Sequence, residues 1–99
     1  MFREKIMSKI PIEGTWGSVL NDLQDVAYDV LTREEILAYL EKEEADEEKA
    51  GGNDGVLFNG DYYDWREFNT KRNNIISSWL SYFPEESLEK IYKGLEHAN

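Results

Sequence analysis

Few side chains in this 99-residue chain have the chemistry of a nucleophile or of a soft metal ligand. There is no cysteine, and the single histidine, His97, is third from the C-terminus, where chain ends are often poorly ordered. Thiol catalysis, disulfides and thiolate metal sites are therefore excluded. Carboxylates are abundant by contrast, since 21 Asp and Glu oppose 11 Lys and Arg and give a net charge of −10.

Enzymatic use of these carboxylates is not favoured by the sequence. A pair of acids of the glycosidase type needs a substrate cleft, which about 100 residues hardly provide. A catalytic triad has no well-placed histidine, and the glycines at positions 51, 52 and 55 lack the Lys-Ser/Thr of a phosphate-binding loop. We therefore expect a protein that is not an enzyme and that has no cofactor.

A calcium loop can be tested by aligning Gly55 with the glycine required at the sixth position. The first and third ligand positions then fall on Ala50 and Gly52, and the twelfth falls on Asp61 instead of a glutamate. Two main ligands are missing, so an EF-hand is rejected and no metal site is predicted. Loose calcium binding by the acidic residues remains open.

The excess acid lies in the middle of the chain. Residues 1–21 carry a net charge of +1, residues 22–64 carry −11 and residues 65–99 carry 0. This balance argues against direct binding to nucleic acid or to an anionic membrane. The sequence also lacks a long apolar run and a signal peptide, so we expect a cytoplasmic protein.

Helical periodicity is strongest in the segment that follows Thr15, a suitable N-cap. Apolar residues recur here at intervals of three and four, which predicts one buried face. On the opposite face lie Asp22, Asp25 and Asp29. They form either a solvated face or one row of a negative binding surface. The apolar positions are Trp16, Val19, Leu20, Leu23, Ala27, Val30 and Leu31.

A second helix begins with a capping box at Thr32 and Glu35 and has an apolar side at Ile36, Leu37 and Leu40. Six of the next eight residues are acidic, namely Glu41, Glu43, Glu44, Asp46, Glu47 and Glu48. We expect this end to project past the core, fray near Lys49 and end at Gly51-Gly52. On a helix the run carries about one charge per 2 Å, close to the roughly 1.7 Å of duplex DNA. It is either a phosphate-like surface or a solubilising segment.

A hairpin is predicted at residues 56–63, because Asn59-Gly60 is a preferred two-residue turn. Tyr62 and Tyr63 should point to opposite faces, so at least one should be exposed beside Asp61 and Asp64. Both tyrosines could instead cover the core.

A third helix should start with the cap at Asp64, with Trp65 in the core. Arg72, on its apolar side, should extend to solvent or pair with an acid. Pro84 should end this helix and open a last one.

These features predict a mainly α, single-domain fold over residues 1–99, a bundle of three to five helices with a short hairpin, with an α+β description also allowed. In size, charge and lack of catalytic residues the chain resembles the small acidic inhibitors of nucleic-acid enzymes, such as DNA-mimic antirestriction proteins, anti-CRISPR proteins and nuclease immunity proteins. That resemblance is compositional, so no residue roles follow from it.

The leading hypothesis is an acidic inhibitor that covers the nucleic-acid-binding surface of a basic partner protein. The alternative is an adaptor or assembly protein that acts through apolar helix faces, and a homodimer is compatible with both. The candidate contact residues are Asp22, Asp25, Asp29, Glu43, Glu44, Asp46, Glu47, Glu48, Asp61, Tyr62, Tyr63 and Asp64.

Overall fold

The computed structural model describes residues 1–50 and 55–97, and within them the chain is mainly helical with one small antiparallel sheet. The predicted fold class is confirmed. None of the described helices is long and apolar enough to cross a membrane. The elements in chain order are α1 (Phe2–Met7), α2 (Trp16–Val30), α3 (Arg33–Ala50), β1 (Gly55–Phe58), β2 (Asp61–Asp64), a short 3-10 helix (Trp65–Glu67), α4 (Arg72–Leu80) and α5 (Glu85–His97).

The core is built around α4, whose apolar residues are almost completely buried. α2 and α1 pack on α4 and also on α5, while α3 packs on β1. Ile6 of α1 is fully buried, so the N-terminal helix contributes directly to the core. The apolar stripe predicted for α2 is the face that meets this core, at Val19, Leu20, Leu23 and Ala27.

The helix caps follow the sequence signals. The Thr15 hydroxyl accepts a hydrogen bond from the Ser18 amide at 3.2 Å, as expected of an N-cap. Thr32 and Glu35 form the predicted reciprocal capping box, with the two bonds at 3.2 and 3.1 Å. Local signals of this kind are therefore enough to place the starts of α2 and α3.

The helix predicted to start at Asp64 instead begins at Arg72, so that prediction is wrong. Asp64 does form a capping box, but it caps only the 3-10 helix. Trp65 is 52% exposed, which also contradicts its predicted place in the core. Its ring packs on Phe68 at 4.6 Å and Trp16 at 6.4 Å between centroids, so it covers the edge of the core from outside.

Arg72 neither reaches solvent nor pairs with an acid, contrary to expectation. Its guanidinium is buried and donates to the carbonyl of Pro11 at 2.6 Å and to that of Gly14 at 2.9 Å. A third bond goes to the Asn73 side chain at 3.1 Å. Arg72 thus ties the loop before α2 to the start of α4.

The hairpin has the predicted turn. Asn59 and Gly60 have φ values of 47° and 92°, as a two-residue turn with positive φ at both positions requires. The strands pair from Gly55 opposite Asp64 to Phe58 opposite Asp61. The predicted end of α3 at Gly51-Gly52 and most of the loop before β1 lie outside the described residues.

Candidate protein-binding surface

The three aspartates of α2 are all exposed, on the side away from the buried stripe. Asp25 and Asp29 border an open groove between α2 and α5, whose other wall carries Lys90 and Lys93. Asp22 lies outside that groove, beside a smaller cavity near Pro11. The three aspartates therefore form a continuous acidic face on α2. Two of them, Asp25 and Asp29, line the same groove as the lysines of α5.

The acids of α3 are divided between two sides of the helix. Glu43 accepts a hydrogen bond from the hydroxyl of buried Tyr39, and Asp46 accepts from the Tyr82 hydroxyl at 2.5 Å. Asp46 also accepts from the Asn59 amide at 2.7 Å and is 9% exposed. Its carboxylate therefore fastens α3 to the hairpin turn and to the segment after α4.

Burial raises the pKa of both tyrosines above the usual range, and their hydrogen bonds to these acids raise it further. A phenol held in its protonated form remains a donor, which is what a carboxylate inside the fold requires. The expectation that the acidic end of α3 projects freely past the core is therefore wrong. Tyr39, which also accepts from the Trp79 indole at 2.8 Å, supplies the inner contact.

Leu37, expected on the apolar side of α3, is 49% exposed, whereas Tyr39 is 2% exposed. The helix is rotated relative to the stripe inferred from its aliphatic residues, because the large aromatic ring fills the space next to Trp79 and Phe83. This rotation decides which acids point outward.

The outer acids of α3 are Glu41, Glu44, Glu47 and Glu48, all exposed. Among the described residues they have no hydrogen bond or ion pair with another side chain. Four charges over eight helical residues give about one per 3 Å, near the roughly 3.4 Å per charge of one DNA strand. The exposed density is thus that of a single strand and not of a duplex.

The hairpin acids are engaged within the chain. Ser78 donates to Asp61 at 2.9 Å and shares a 2.8 Å hydrogen bond with the Tyr63 hydroxyl, which also donates to the Asn74 carbonyl at 3.2 Å. This network joins β2 to α4, and it explains why Tyr63 is buried.

Asp64 accepts from the Arg66 amide at 2.8 Å and from its guanidinium at 3.0 and 3.1 Å. These bonds lower the pKa of Asp64 to about 2. Its charge is therefore matched by a neighbouring cation before any partner arrives.

Tyr62 is 51% exposed, on the opposite face of the hairpin from Tyr63, as the alternation predicts. A Cβ at Gly55 would lie 2.7 Å from the Tyr62 ring, so the ring lies closely over that backbone. Tyr62 is held in place by this contact and still presents half of its surface to solvent.

The candidate contact residues therefore form two groups. One group is bonded within the chain and consists of Glu43, Asp46, Asp61, Tyr63 and Asp64. The other is exposed and consists of Asp22, Asp25, Asp29, Glu44, Glu47, Glu48 and Tyr62. Sequence reasoning missed the groove between α2 and α5, for which Gly94 inside an amphipathic helix is the available signal.

Over residues 1–50 and 55–97, no three acidic or histidine side chains come together as a metal site would require. Comparison with protein-family models, with curated proteins and with solved structures gives no match.

Proposed function

We propose that this protein is a non-enzymatic inhibitor whose acidic surface occupies the basic nucleic-acid-binding site of a partner protein. The outer acids of α3, Glu44, Glu47 and Glu48 with Glu41, form the main contact. The observation that carries the proposal is that these acids are exposed and have no pairing group among the described residues. An uncompensated row of charges attracts an oppositely charged surface and speeds its association.

The spacing of these acids supports imitation of a single phosphate backbone. At about 3 Å per charge the row resembles one strand, and a basic channel would release bound counterions on meeting it. Lys42 and Lys49 are on the same helix and reduce the net charge. The Lys42 ammonium donates to the Tyr82 carbonyl at 3.2 Å, so it is held back toward the fold.

The distribution of cations supports a preferred orientation. Lys5 of α1 and Lys9, two residues after that helix, lie over the Tyr92 ring of α5, 5.9 and 5.4 Å from its centroid. α1 packs on α5, whereas α3 packs on β1, so the basic residues and the acidic row belong to different parts of the fold. A molecule charged in this way would approach a basic site with α3 leading.

Tyr62 is the aromatic residue best suited to a short-range contact with the partner. It is half-exposed and fixed over Gly55, and tyrosines are enriched among residues that dominate binding energy. Tyr63 is assigned to the fold and not to the partner, because its hydroxyl is bonded within the chain.

The apolar-face alternative finds less support. The stripe on α2 packs inside this chain, so a partner could reach it only if the core opened. The exposed large apolar residues, such as Ile12 and Leu37, lie on separate elements.

Affinity capture from a host lysate, followed by elution in a salt gradient and kinetics on the captured protein, tests the proposal. The triple variant Glu44→Gln, Glu47→Gln, Glu48→Gln removes three outer charges and keeps helix propensity. The matched control Glu13→Gln, Glu86→Gln, Glu96→Gln removes three exposed charges elsewhere. We expect a nucleic-acid-binding protein that elutes with salt, and about tenfold slower association for the first variant only.

Equal effects of the two triple variants would mean that only net charge matters and would contradict an α3 contact. If the captured protein stays bound at high salt and both triple variants bind it as the parent does, the protein is an adaptor. A gel shift with bare duplex at moderate salt should show no binding, and micromolar binding would refute the mimic hypothesis.

A further inference from the structure

The groove between α2 and α5 differs in character from the rest of the acidic surface. It has a volume of about 730 Å³ and an apolar floor of Val26, Val30 and Gly94. All three floor residues are partly exposed. A groove with such a floor remains available for a further chain to cover.

The groove depends on Gly94, because this residue has no side chain to fill the space above the two valines. A Cβ at this position would lie 2.8 Å from Cγ1 of Val26 and 2.9 Å from Cγ1 of Val30, closer than real contacts allow. The glycine lets α5 approach α2 closely, and it leaves the two valines without a covering side chain on that side.

The walls of the groove carry opposite charges. Asp25 and Asp29 stand on α2, and Lys90 and Lys93 stand on α5. The two acids and two lysines that line the groove carry equal and opposite charges, in a protein of net charge −10. A second acidic molecule would therefore meet less repulsion here than at the outer acids of α3.

The lysines do not satisfy the aspartates across the groove. Lys90 pairs with Glu35 at 2.6 Å, and Lys93 lies 3.9 Å from Glu89 on its own helix. No ion pair joins Asp25 or Asp29 to either lysine within the described residues. Asp25 and Asp29 therefore keep capacity for an external cation, and Lys93, held only at 3.9 Å, can still meet an external acid.

We infer that a second copy of this chain covers the groove. An isologous interface requires one patch that complements itself, and a face with an acidic wall beside a basic wall meets that requirement. A second copy is favoured over other partners because this chain itself carries both the acidic and the basic wall that the contact needs. The inference is independent of the proposed inhibitory function, because the outer acids of α3 do not line the groove.

The charge pattern also selects the arrangement of the two copies. A two-fold axis parallel to the groove places α2 of each copy over α5 of the other and keeps each residue at its own height. Asp29 of one copy then faces the Lys90 and Lys93 wall of the other, with the valines and Gly94 between. An axis across the groove would place α2 over α2, and the resulting like-charge contacts are unfavourable.

Sedimentation equilibrium of the full chain at up to about 1 mM and about 0.15 M salt, where screening extends over roughly 8 Å, measures the association. We expect a monomer–dimer equilibrium for the parent. Asp29→Lys or Lys93→Glu alone should weaken dimerisation at least tenfold, since each sets like charges face to face. The combined variant again sets a lysine opposite an acid at positions 29 and 93, so its dimerisation should recover to within about threefold of the parent.

Asp22→Lys is the matched control, because it makes the same charge change on α2 outside the groove. A parent that stays monomeric at 1 mM would overturn the inference. So would a control that weakens association as much as Asp29→Lys, or a combined variant that does not recover. Thermal melts establish that every variant is folded, and the measurement on the parent tests the inference without any substitution.

Discussion

Along α2 all three aspartates lie on the exposed side, whereas along α3 the acids are divided between an exposed side and a side that faces the fold. The difference follows from density. Acids spaced by three and four residues can share one face of a helix, but six acids in eight positions must occupy more than one side. The second arrangement requires partners inside the protein, and Tyr39 and Tyr82 provide them. The number of acids in a helix is therefore a poor measure of the charge that it presents.

The largest effect expected from this comparison comes from Asp46→Ala. The substitution removes the acceptor of the Tyr82 hydroxyl and the Asn59 amide, so the free energy of unfolding should fall by about 2–3 kcal/mol. Asp22→Ala gains the same helix propensity on α2 but loses no described contact, so it should change stability by less than about 0.5 kcal/mol. Urea denaturation of both variants measures the difference, and equal effects would mean that Asp46 is not a fastening residue.

The same division can be tested in the hairpin with Tyr63→Phe and Tyr62→Phe. Loss of the buried hydroxyl at Tyr63 removes its bonds to Ser78 and Asn74, which should cost about 1 kcal/mol. Loss of the half-exposed hydroxyl at Tyr62 should be close to neutral. Urea denaturation measures both effects. If the hairpin packed through its other face, Tyr62→Phe would lose more stability than Tyr63→Phe.

The stability at acid pH tests Glu35, at the beginning of α3, separately from the outer acids of that helix. The Lys90 ammonium, together with the Ser87 hydroxyl and the Thr32 cap, lowers the pKa of Glu35 from 4.5 to about 2. A lowered pKa in the folded state adds stability above pH 4.5, and this stability is lost as the pH falls toward 2. Because the pair is partly exposed, Glu35→Gln should cost about 1 kcal/mol or less at pH 7 and flatten the acid limb of the stability curve.

Melts of the parent and Glu35→Gln from pH 2 to pH 7 provide that measurement. Adding Lys90→Met to each protein completes a double-mutant cycle that isolates the pair. A cycle with zero coupling energy at pH 7 would show that the contact adds nothing to stability.

The smallest effect concerns the outer acids, and its sign should be opposite to that of Asp46→Ala. Glu44 and Glu48 are one helical turn apart and carry like charges, so Glu44→Gln with Glu48→Gln should raise stability by about 0.2–0.5 kcal/mol at low salt. The gain should vanish near 1 M salt, where the screening length is roughly 3 Å. A loss of stability at low salt would place these two acids in contacts with the fold.

Sequence reasoning succeeded wherever the signal was local. The caps at Thr15 and Thr32 and the turn at Asn59-Gly60 depend on residues within four positions of one another, and each forms as predicted. The exposed row on α2 was also correct, because its apolar stripe is long and regular. These successes place the framework of the fold and the part of the candidate surface that lies on α2.

The errors arose where distant parts of the chain compete for a residue. Trp65 has the spacing of a core residue, yet it packs against Trp16 at the start of α2 and remains half-exposed. Arg72 is bonded to carbonyls about 60 residues earlier in the chain, which no local pattern shows. The rotation of α3 likewise depends on Tyr39 finding Trp79, so the inner and outer acids could not be separated in advance.

The attachment of α3 has a consequence for the motions of the native state. Polar side-chain links join this helix to the rest of the chain at Glu35, Lys42 and Asp46, along one rigid rod. Tyr39 is the residue of α3 that lies in the buried core, whereas Ile75, Ile76, Trp79 and Leu80 of α4 are all buried there, so α4 can open only when the core does. Amide hydrogen exchange should therefore be faster along α3 than along α4, with α3 detaching as one unit. The outer acids therefore belong to a helix that we expect to open at a lower free energy than α4.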